Sequence, residues 1–517
     1  MTEERSLDAG RGMEHVGEIA PKERIAIPEI SLLSKLFRGV DWKRILFIVA
    51  GLALFALVYA SPQWPDAVDP AGKHFELSRE GKAAIGLFLL TATWWVFEVV
   101  PIGITSIMVG VVQALFLIRA SKTAFTDFMD PSVWFIFGSI IIGMAFSRTG
   151  LTKRMAYKML TLVGERTSMI YLGCFAMTGA LTLIMAHTAV AAAVYPLLMA
   201  IYTLYGEEDK PTRFGKGLFM GMAFIAGAGS IVTLLGAARG AVAIGFFKDM
   251  VGREISFFEL SYYMFPLGWG MIIILWAFFM IFFRPEKRTI PGLRERAKAL
   301  NARLGRITFT EILTLVIVFS AIAVLSLRSF IPVLEPLNKS AVILVTTILF
   351  FVFNILNIKD LEEIPWNIIL LFGGAMSIGF CLWETGAANW IAVQWLVMFQ
   401  NAPAFVFILA IGFFVLVMTN FIMNVAAIAI SLPVALVIAP YLGVAPEAIL
   451  FVSLAAAGMP FLLLVGAAPN AIAYESRQFT SGEFFKAGIP ASIVLMMVLA
   501  LFVWLIWPLM GMPVLLQ

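Results

Sequence analysis

Gly236-Ala237-Ala238-Arg239-Gly240-Ala241-Val242-Ala243 reads nearly letter for letter as Gly466-Ala467-Ala468-Pro469-Asn470-Ala471-Ile472-Ala473. Both octets interrupt long apolar runs. A helix that stops in such a place leaves backbone N–H or C=O groups without intrahelical partners. Before each octet lies an apolar stretch too long for one membrane crossing, 168–205 and 403–441. Each turns polar only in its middle, at Ala186-His187-Thr188 and at Met423-Asn424-Val425. A re-entrant hairpin fits better than two spans, because a non-helical tip at membrane depth must face protein or a water-filled cavity.

The two tips keep a constant offset of 237, as do Pro196 and Pro433 behind them. Farther out, Gly138, Gly143 and Thr149-Gly150 match Gly374, Gly379 and Thr385-Gly386 at an offset of 236. Three matched blocks in one order predict an internal repeat, starting near residue 82.

Composition sets the environment. Of 517 residues, 61% are apolar and 14% charged, with 37 Lys+Arg against 33 Asp+Glu for a net charge of +4. Soluble domains run at roughly 45–50% apolar and about 25% charged. The mean hydropathy of +0.93 excludes a soluble enzyme, a disordered chain and a nucleic-acid binder. Apolar runs near 45–61, 83–100, 102–118, 133–147, 217–236, 261–283, 310–327, 340–357, 366–382 and 487–507 predict crossing helices. The fold class expected is an all-α polytopic membrane protein of two inverted repeats with re-entrant hairpins and broken helices. Cys174 and Cys381 lie inside apolar runs and give no disulfide framework or zinc cage. The polar first forty residues lack an apolar signal core, so no cleaved signal peptide is expected.

Basic residues give orientation. Arg284, Lys287, Arg288, Arg294, Arg296, Lys298, Arg303 and Arg306 make a linker over 284–308 that should be cytoplasmic. The tail over 1–41, together with Lys43 and Arg44, should share that side. The halves are then 42–283 and 309–517. The stretch 148–166 carries Arg148, Lys153, Arg154, Lys158 and Arg166, whereas its partner 384–402 carries no Lys or Arg. Equivalent segments on opposite sides mean inverted topology, a transporter architecture whose site lies where the breaks meet.

Helix N-termini offer donors to an anion and C-termini offer carbonyls to a cation. Four broken ends around one cavity suit a small multiply charged anion travelling with cations, although glycine-rich interruptions also serve close helix packing. His187 is the one histidine in an apolar segment, able to hold an anion or carry a proton. Arg239 is the costlier intrusion, about 2.5–3.5 kcal/mol on insertion scales, and calls for an anionic partner or water. Thr188, Asn424, Asn470 and Thr419 are polar groups for substrate or ion, with interhelical hydrogen bonding as their alternative use. Glu98 reads as a structural partner at the interface, and Trp94 and Trp95 as belt anchors.

Trp94-Trp95-Val96-Phe97-Glu98-Val99-Val100-Pro101 with Thr105, Leu370-Leu371-Phe372-Gly373-Gly374 with Thr385-Gly386, and Gly466-Ala467-Ala468-Pro469-Asn470 together resemble motifs of the divalent-anion/sodium symporter family, carriers of citrate, succinate and sulfate. The resemblance runs from about residue 42. It implies a homodimer in which each protomer pairs a scaffold with an elevator-like transport domain. It also implies two Ser-Asn-Thr hairpin tips touching substrate and sodium. Here the first tip keeps only Thr188, the second keeps only Asn424, and the first loop has Arg239 in place of proline and Asn. The substrate-binding set implied is His187, Thr188, Ala237, Arg239, Asn424, Ala467, Pro469 and Asn470. Sodium is expected at Thr419, Asn424 and Gly466, and the counterpart at Gly236 and His187 is expected to be lost, with Arg239 supplying its charge. Coupling to sodium at the second site, coupling to protons through His187, and uncoupled exchange or export all follow from that.

The expected function is secondary active transport of a small organic dianion, dicarboxylates first. Met423 and Val425 at one tip also admit a less symmetric sulfonated or singly carboxylated acid. No cofactor, nucleic acid or catalytic residue is expected. An intramembrane enzyme is the rival from another class, opposed by spans that hold one histidine and no His-Glu-x-x-His or paired aspartates. An anion channel on the same frame is a second rival. The expected setting is a multi-pass bacterial inner-membrane protein, amino terminus cytoplasmic, in contact with lipid.

Overall fold

The computed structural model describes residues 42–68, 74–205, 211–399, 403–421 and 423–516, without the side chains of 395–399 and 465. The tail over 1–41, with its Lys35, Arg38 and His15, lies outside the described residues. The chain is helical almost throughout. The described residues include one two-stranded antiparallel ribbon, Ala67–Val68 with His74–Phe75. Nine helical stretches among them are long and apolar enough to cross a membrane.

After α1 (Trp42–Ala60), the first half runs α2 (Arg79–Val96), α3 (Ile102–Leu115), the short α4 (Ser121–Thr126), α5 (Pro131–Thr149), α6 (Leu151–Val163), α7 (Thr167–Leu181), α8 (His187–Tyr205), α9 (Arg213–Gly229), α10 (Ala238–Val251) and α11 (Phe257–Phe282). A linker helix, α12 (Leu293–Arg303), follows. The second half repeats the order: α13 (Phe309–Leu327), α14 (Lys339–Val352), the short α15 (Ile358–Glu362), α16 (Trp366–Glu384), α17 (Ala387–Phe399), α18 (Ala404–Phe421), α19 (Asn424–Ile438), α20 (Pro446–Gly458), α21 (Ala468–Tyr474) and α22 (Ser481–Leu501), closed by α23 (Trp507–Leu509).

Packing repeats as well. α3 packs on α16 and its equivalent α14 on α5, while α10 packs on α19 and its equivalent α21 on α8. The matched glycines explain themselves at these crossings. A Cβ on Gly138 would lie 2.4 Å from Ile343 Cγ2, and one on Gly374 would lie 2.4 Å from Ser106 Cβ. Gly150 and Gly386 hold φ of 84° and 76° where α5 turns into α6 and α16 into α17, a left-handed region open to glycine at little cost.

The apolar residues do two jobs. Phe135, Phe146, Phe175 and Phe246 are sealed inside. Leu57, Leu115, Ile281 and Phe309 stay more than two-thirds exposed, as a lipid-facing surface requires. Trp95, read above as a belt anchor, is 4% exposed and packs in the core. Its neighbour Trp94 lies against Gly51. Trp94 is half-buried against α1, its Nε1 donating to the Ile48 carbonyl at 3.4 Å.

Charges gather at helix ends. Arg119, just past α3, donates from Nη1 to Asp127 Oδ2 at 2.6 Å and from Nε to Glu384 Oε2 at 2.8 Å. Gln113 accepts from Arg119 and donates to Ser377 Oγ at 2.8 Å, tying α3 to α16. Arg154 of α6 grips Glu311 at 2.9 and 3.0 Å and the Gly305 carbonyl at 2.9 Å. Burial alone would push the Glu286 carboxyl up. The Arg213 and Phe214 N–H groups and the Tyr205 hydroxyl instead hold it below the ordinary range.

Candidate substrate and ion site

Two breaks interrupt the α9–α10 and α20–α21 pairs. In the first, α9 ends at Gly229, the chain turns through 230–236, and Ala237 enters α10 with an extended backbone (φ −161°, ψ 141°). In the second, α20 ends at Gly458 and Ala467 enters α21 the same way (φ −153°, ψ 148°). The first loop is buried throughout, and in the second Met459, Pro460, Phe461, Gly466 and Ala467 are buried while Leu462, Leu463 and Leu464 are half-buried. Their polar backbone groups therefore need partners within the protein.

Each break is seated on its hairpin by a glycine. A Cβ on Gly236 would lie 2.6 Å from the Thr182 carbonyl and 2.7 Å from the Ser230 carbonyl. One on Gly466 would lie 2.9 Å from the Thr419 carbonyl. Thr182 and Thr419 hold equivalent places at the ends of the first hairpin arms, α7 and α18. In the first half, backbone oxygens from a hairpin and a helix C-terminus therefore converge, the environment that favours a cation; in the second, the Thr419 carbonyl stands at the equivalent place. Gly236→Ala and Gly466→Ala should each lower thermal stability in detergent by about 1–3 kcal/mol, because backbone cannot yield as a side chain does. Gly270→Ala, where a Cβ meets nothing within 4 Å, should leave the unfolding midpoint at or above that of the parent.

The first hairpin tip turns through 182–186, and His187 opens α8. Its N–H donates to the Gly236 carbonyl at 2.9 Å, and its Nδ1 faces the same oxygen at 3.2 Å. A carbonyl only accepts, so Nδ1 carries the proton and Nε2 remains available as an acceptor. Thr188 follows, half-buried. Thr233 fastens the loop, donating to the Leu183 carbonyl at 2.9 Å.

Arg239 is the second residue of α10 and is 2% exposed. Nη2 donates to Ser230 Oγ at 2.8 Å, and Nη1 has no partner. No carboxylate pairs with it among the described residues. A Cβ on Gly458 would come within 2.6 Å of Nη2. The guanidinium thus lies between the C-terminal ends of α9 and α20, where partial negative charge collects. The sequence called for an anionic partner or water, and among the described residues the protein supplies helix ends and one hydroxyl.

The second half spends its polar groups differently. Thr419 Oγ1 donates to the Ala457 carbonyl at 3.0 Å. Asn470 Nδ2 donates to the Pro460 and Leu463 carbonyls at 2.8 and 3.1 Å, so this amide braces the break. Pro469 stands in the first turn of α21. Asn420 accepts from the Leu462 and Leu463 N–H groups at 2.7 and 3.2 Å. Asn424, 7% exposed, opens α19 with no side-chain hydrogen bond among the described residues. Beside it, Met423, Phe421 and Ala426 line a cavity of about 200 Å³ whose far wall includes Trp95 and Glu98. Glu98, read as a structural partner, is exposed there with φ 43°.

The predicted residues therefore gather in two clusters: Gly236, His187 and Arg239 with Ser230, and Thr419, Gly466 and Asn470 with Asn420. Among the described residues no hydrogen bond joins one cluster to the other. Packing of α10 on α19 and α21 on α8 brings their helices together. Ser230 and Asn420 were missed. Their signal was a polar residue at the end of an apolar helix just before a break.

The chain matches the sodium:sulfate symporter transmembrane region over residues 44–513. It is 24% identical to the sodium-dependent dicarboxylate transporter SdcS of Staphylococcus saprophyticus, over 85% of this chain and 88% of that one. It is 25% identical to the protein of the same name from Staphylococcus aureus, over 84% and 87%. Among solved structures, the YdaH transporter of Alcanivorax borkumensis shares the fold with a TM-score of 0.52 and 14% identity, covering 91% of this chain and 98% of that one. MtrF of Neisseria gonorrhoeae shares it at 0.54 and 14%, covering 89% and 93%. The chain belongs to the sodium:sulfate symporter transmembrane family and is a multi-pass membrane transporter, not an enzyme.

Proposed function

We propose that this transporter carries a small organic dianion, a dicarboxylate first, and that Arg239 takes the place of one of its coupling cations. One observation carries this reading: a buried guanidinium lies where two helix C-termini meet, with one nitrogen unpartnered and no carboxylate paired with it among the described residues. A buried charge needs compensation, and a carboxylate of the substrate supplies what the chain withholds. The sodium dependence of the staphylococcal relatives supports sodium as the remaining coupling ion. Its place is the second cluster, where the Thr419 carbonyl and the Gly466 loop offer hard oxygens, and the Asn424 amide at the start of α19 is the further oxygen this reading calls on.

Hairpins and broken helices travel in this reading as one body past the remaining helices, exposing the site to each side in turn. The halves lie inverted, with the amino terminus and the 284–308 linker on the cytoplasmic side of a bacterial inner membrane. The functional unit is a homodimer.

Uptake of labelled succinate into proteoliposomes, driven separately by sodium, proton and counter-substrate gradients, tests the reading. An inward sodium gradient should drive uptake with a Hill slope for sodium of about one. A requirement for two or more sodium ions per substrate overturns the role given to Arg239. Uptake that ignores the sodium gradient overturns the coupling, and passive ion current at the Nernst potential overturns the carrier itself.

A further inference from the structure

At the basic end of the first half, α6, α8 and the linker helix α12 enclose a slot of about 140 Å³. Ala156 and Leu160 of α6, Ala193 and Leu197 of α8, and Leu293 and Ala297 of α12 form apolar walls. At the rim stand two cations, Lys153 and Arg296. Both are exposed, and neither has an acidic partner among the described residues. Arg154 beside them is fully engaged by Glu311 and backbone carbonyls. The contrast leaves two free cations over a greasy slot among the described residues.

We propose that this slot binds an anionic phospholipid, with the phosphate between Lys153 and Arg296 and the upper part of one acyl chain among Ala193, Leu197 and Leu160. Small side chains at Ala156, Ala193 and Ala297 make the room. A soluble organic anion would gain little from so apolar a wall, whereas a lipid offers charge and hydrocarbon together. Basic pockets between membrane helices on the cytoplasmic side are built to take anionic headgroups.

The position of the slot gives the lipid a lever. Pro196 also lines it, at the point where α8 loses one rung of its hydrogen-bond ladder. The opposite end of α8 carries His187 on the Gly236 carbonyl. An acyl chain against the proline stiffens the hairpin arm that reaches the site, so bound lipid should raise the transport rate. That last step rests on the proposed carrier function, whereas the lipid binding does not.

The full-length protein in nanodiscs of phosphatidylcholine, with or without a minority of phosphatidylglycerol, provides the test. Native mass spectrometry counts retained lipid, and thermal unfolding reads stabilisation. Phosphatidylglycerol should be retained several-fold over phosphatidylcholine and raise the unfolding midpoint. Lys153→Gln with Arg296→Gln should abolish the preference, and Ala193→Trp should abolish retention by filling the slot. Lys158→Gln, outside the slot, should leave both unchanged. Should Ala193→Trp not fold, the two exposed Gln substitutions decide alone. Equal retention of the two lipids, retention unaffected by the Gln pair, or an equal midpoint shift from inorganic phosphate overturns the proposal. Lipid binding as expected with no gain in transport overturns only the lever.

Discussion

Replacing Arg239 by Met is expected to weaken dianion binding by about two to three and a half orders of magnitude, because losing one partner of a buried charge pair costs ~3–5 kcal/mol. Met keeps most of the volume between Ser230 and Gly458 but carries no charge. The same substitution should leave the unfolding midpoint of the substrate-free protein unchanged or raise it, since an unpaired buried charge is replaced by an apolar group of similar shape. Binding and stability therefore move in different directions. Calorimetric titration with succinate gives the first, and thermal unfolding without ligand gives the second. Unchanged affinity removes Arg239 from the site. A large fall in stability with affinity intact makes it a structural residue instead.

Arg119→Met should do the reverse, costing ~3–5 kcal/mol of stability while leaving affinity per folded molecule alone. It strands Asp127, 8% exposed, and Gln113, fully buried, without the group that joins them. Combining it with Asp127→Leu should recover most of the loss, because the orphaned carboxylate goes too. Chemical unfolding in detergent measures both variants. A loss below ~1 kcal/mol, the range of an exposed pair, would show that water reaches this cluster.

Much of the fold could be read from residues alone. Gly150 and Gly386 mark left-handed turns, Gly138 and Gly374 mark crossings, and the polar tips mark where apolar stretches turn back. These signals are local, so they survive without knowledge of neighbours. The site was only half legible for the same reason. His187 and Arg239 stand out because an ionisable group in an apolar run has few uses. Asn470 and Thr419 do not, since an amide or hydroxyl serves a ligand or a backbone carbonyl equally well, and both serve carbonyls here. Only the path of the loop decides. The Arg119 cluster was hidden by distance along the chain, Glu384 lying 265 positions after Arg119. Trp95 was misread because belt and core indoles look alike until the α2–α3 turn is known.

On the proposed carrier reading, the guanidinium held between two helix ends would also change what membrane voltage does to the transport cycle. A coupling sodium ion is free to leave, so it crosses the field only on the loaded stroke. Arg239 is covalently fixed, and if the body that bears it moves across the membrane, its charge makes the return journey as well. About 2.3 kcal/mol per charge per 100 mV acts on such a displacement. A negative interior then assists the inward movement of the empty carrier and opposes its outward one. In such a cycle the step that voltage controls would shift from carrying the load to resetting the machine.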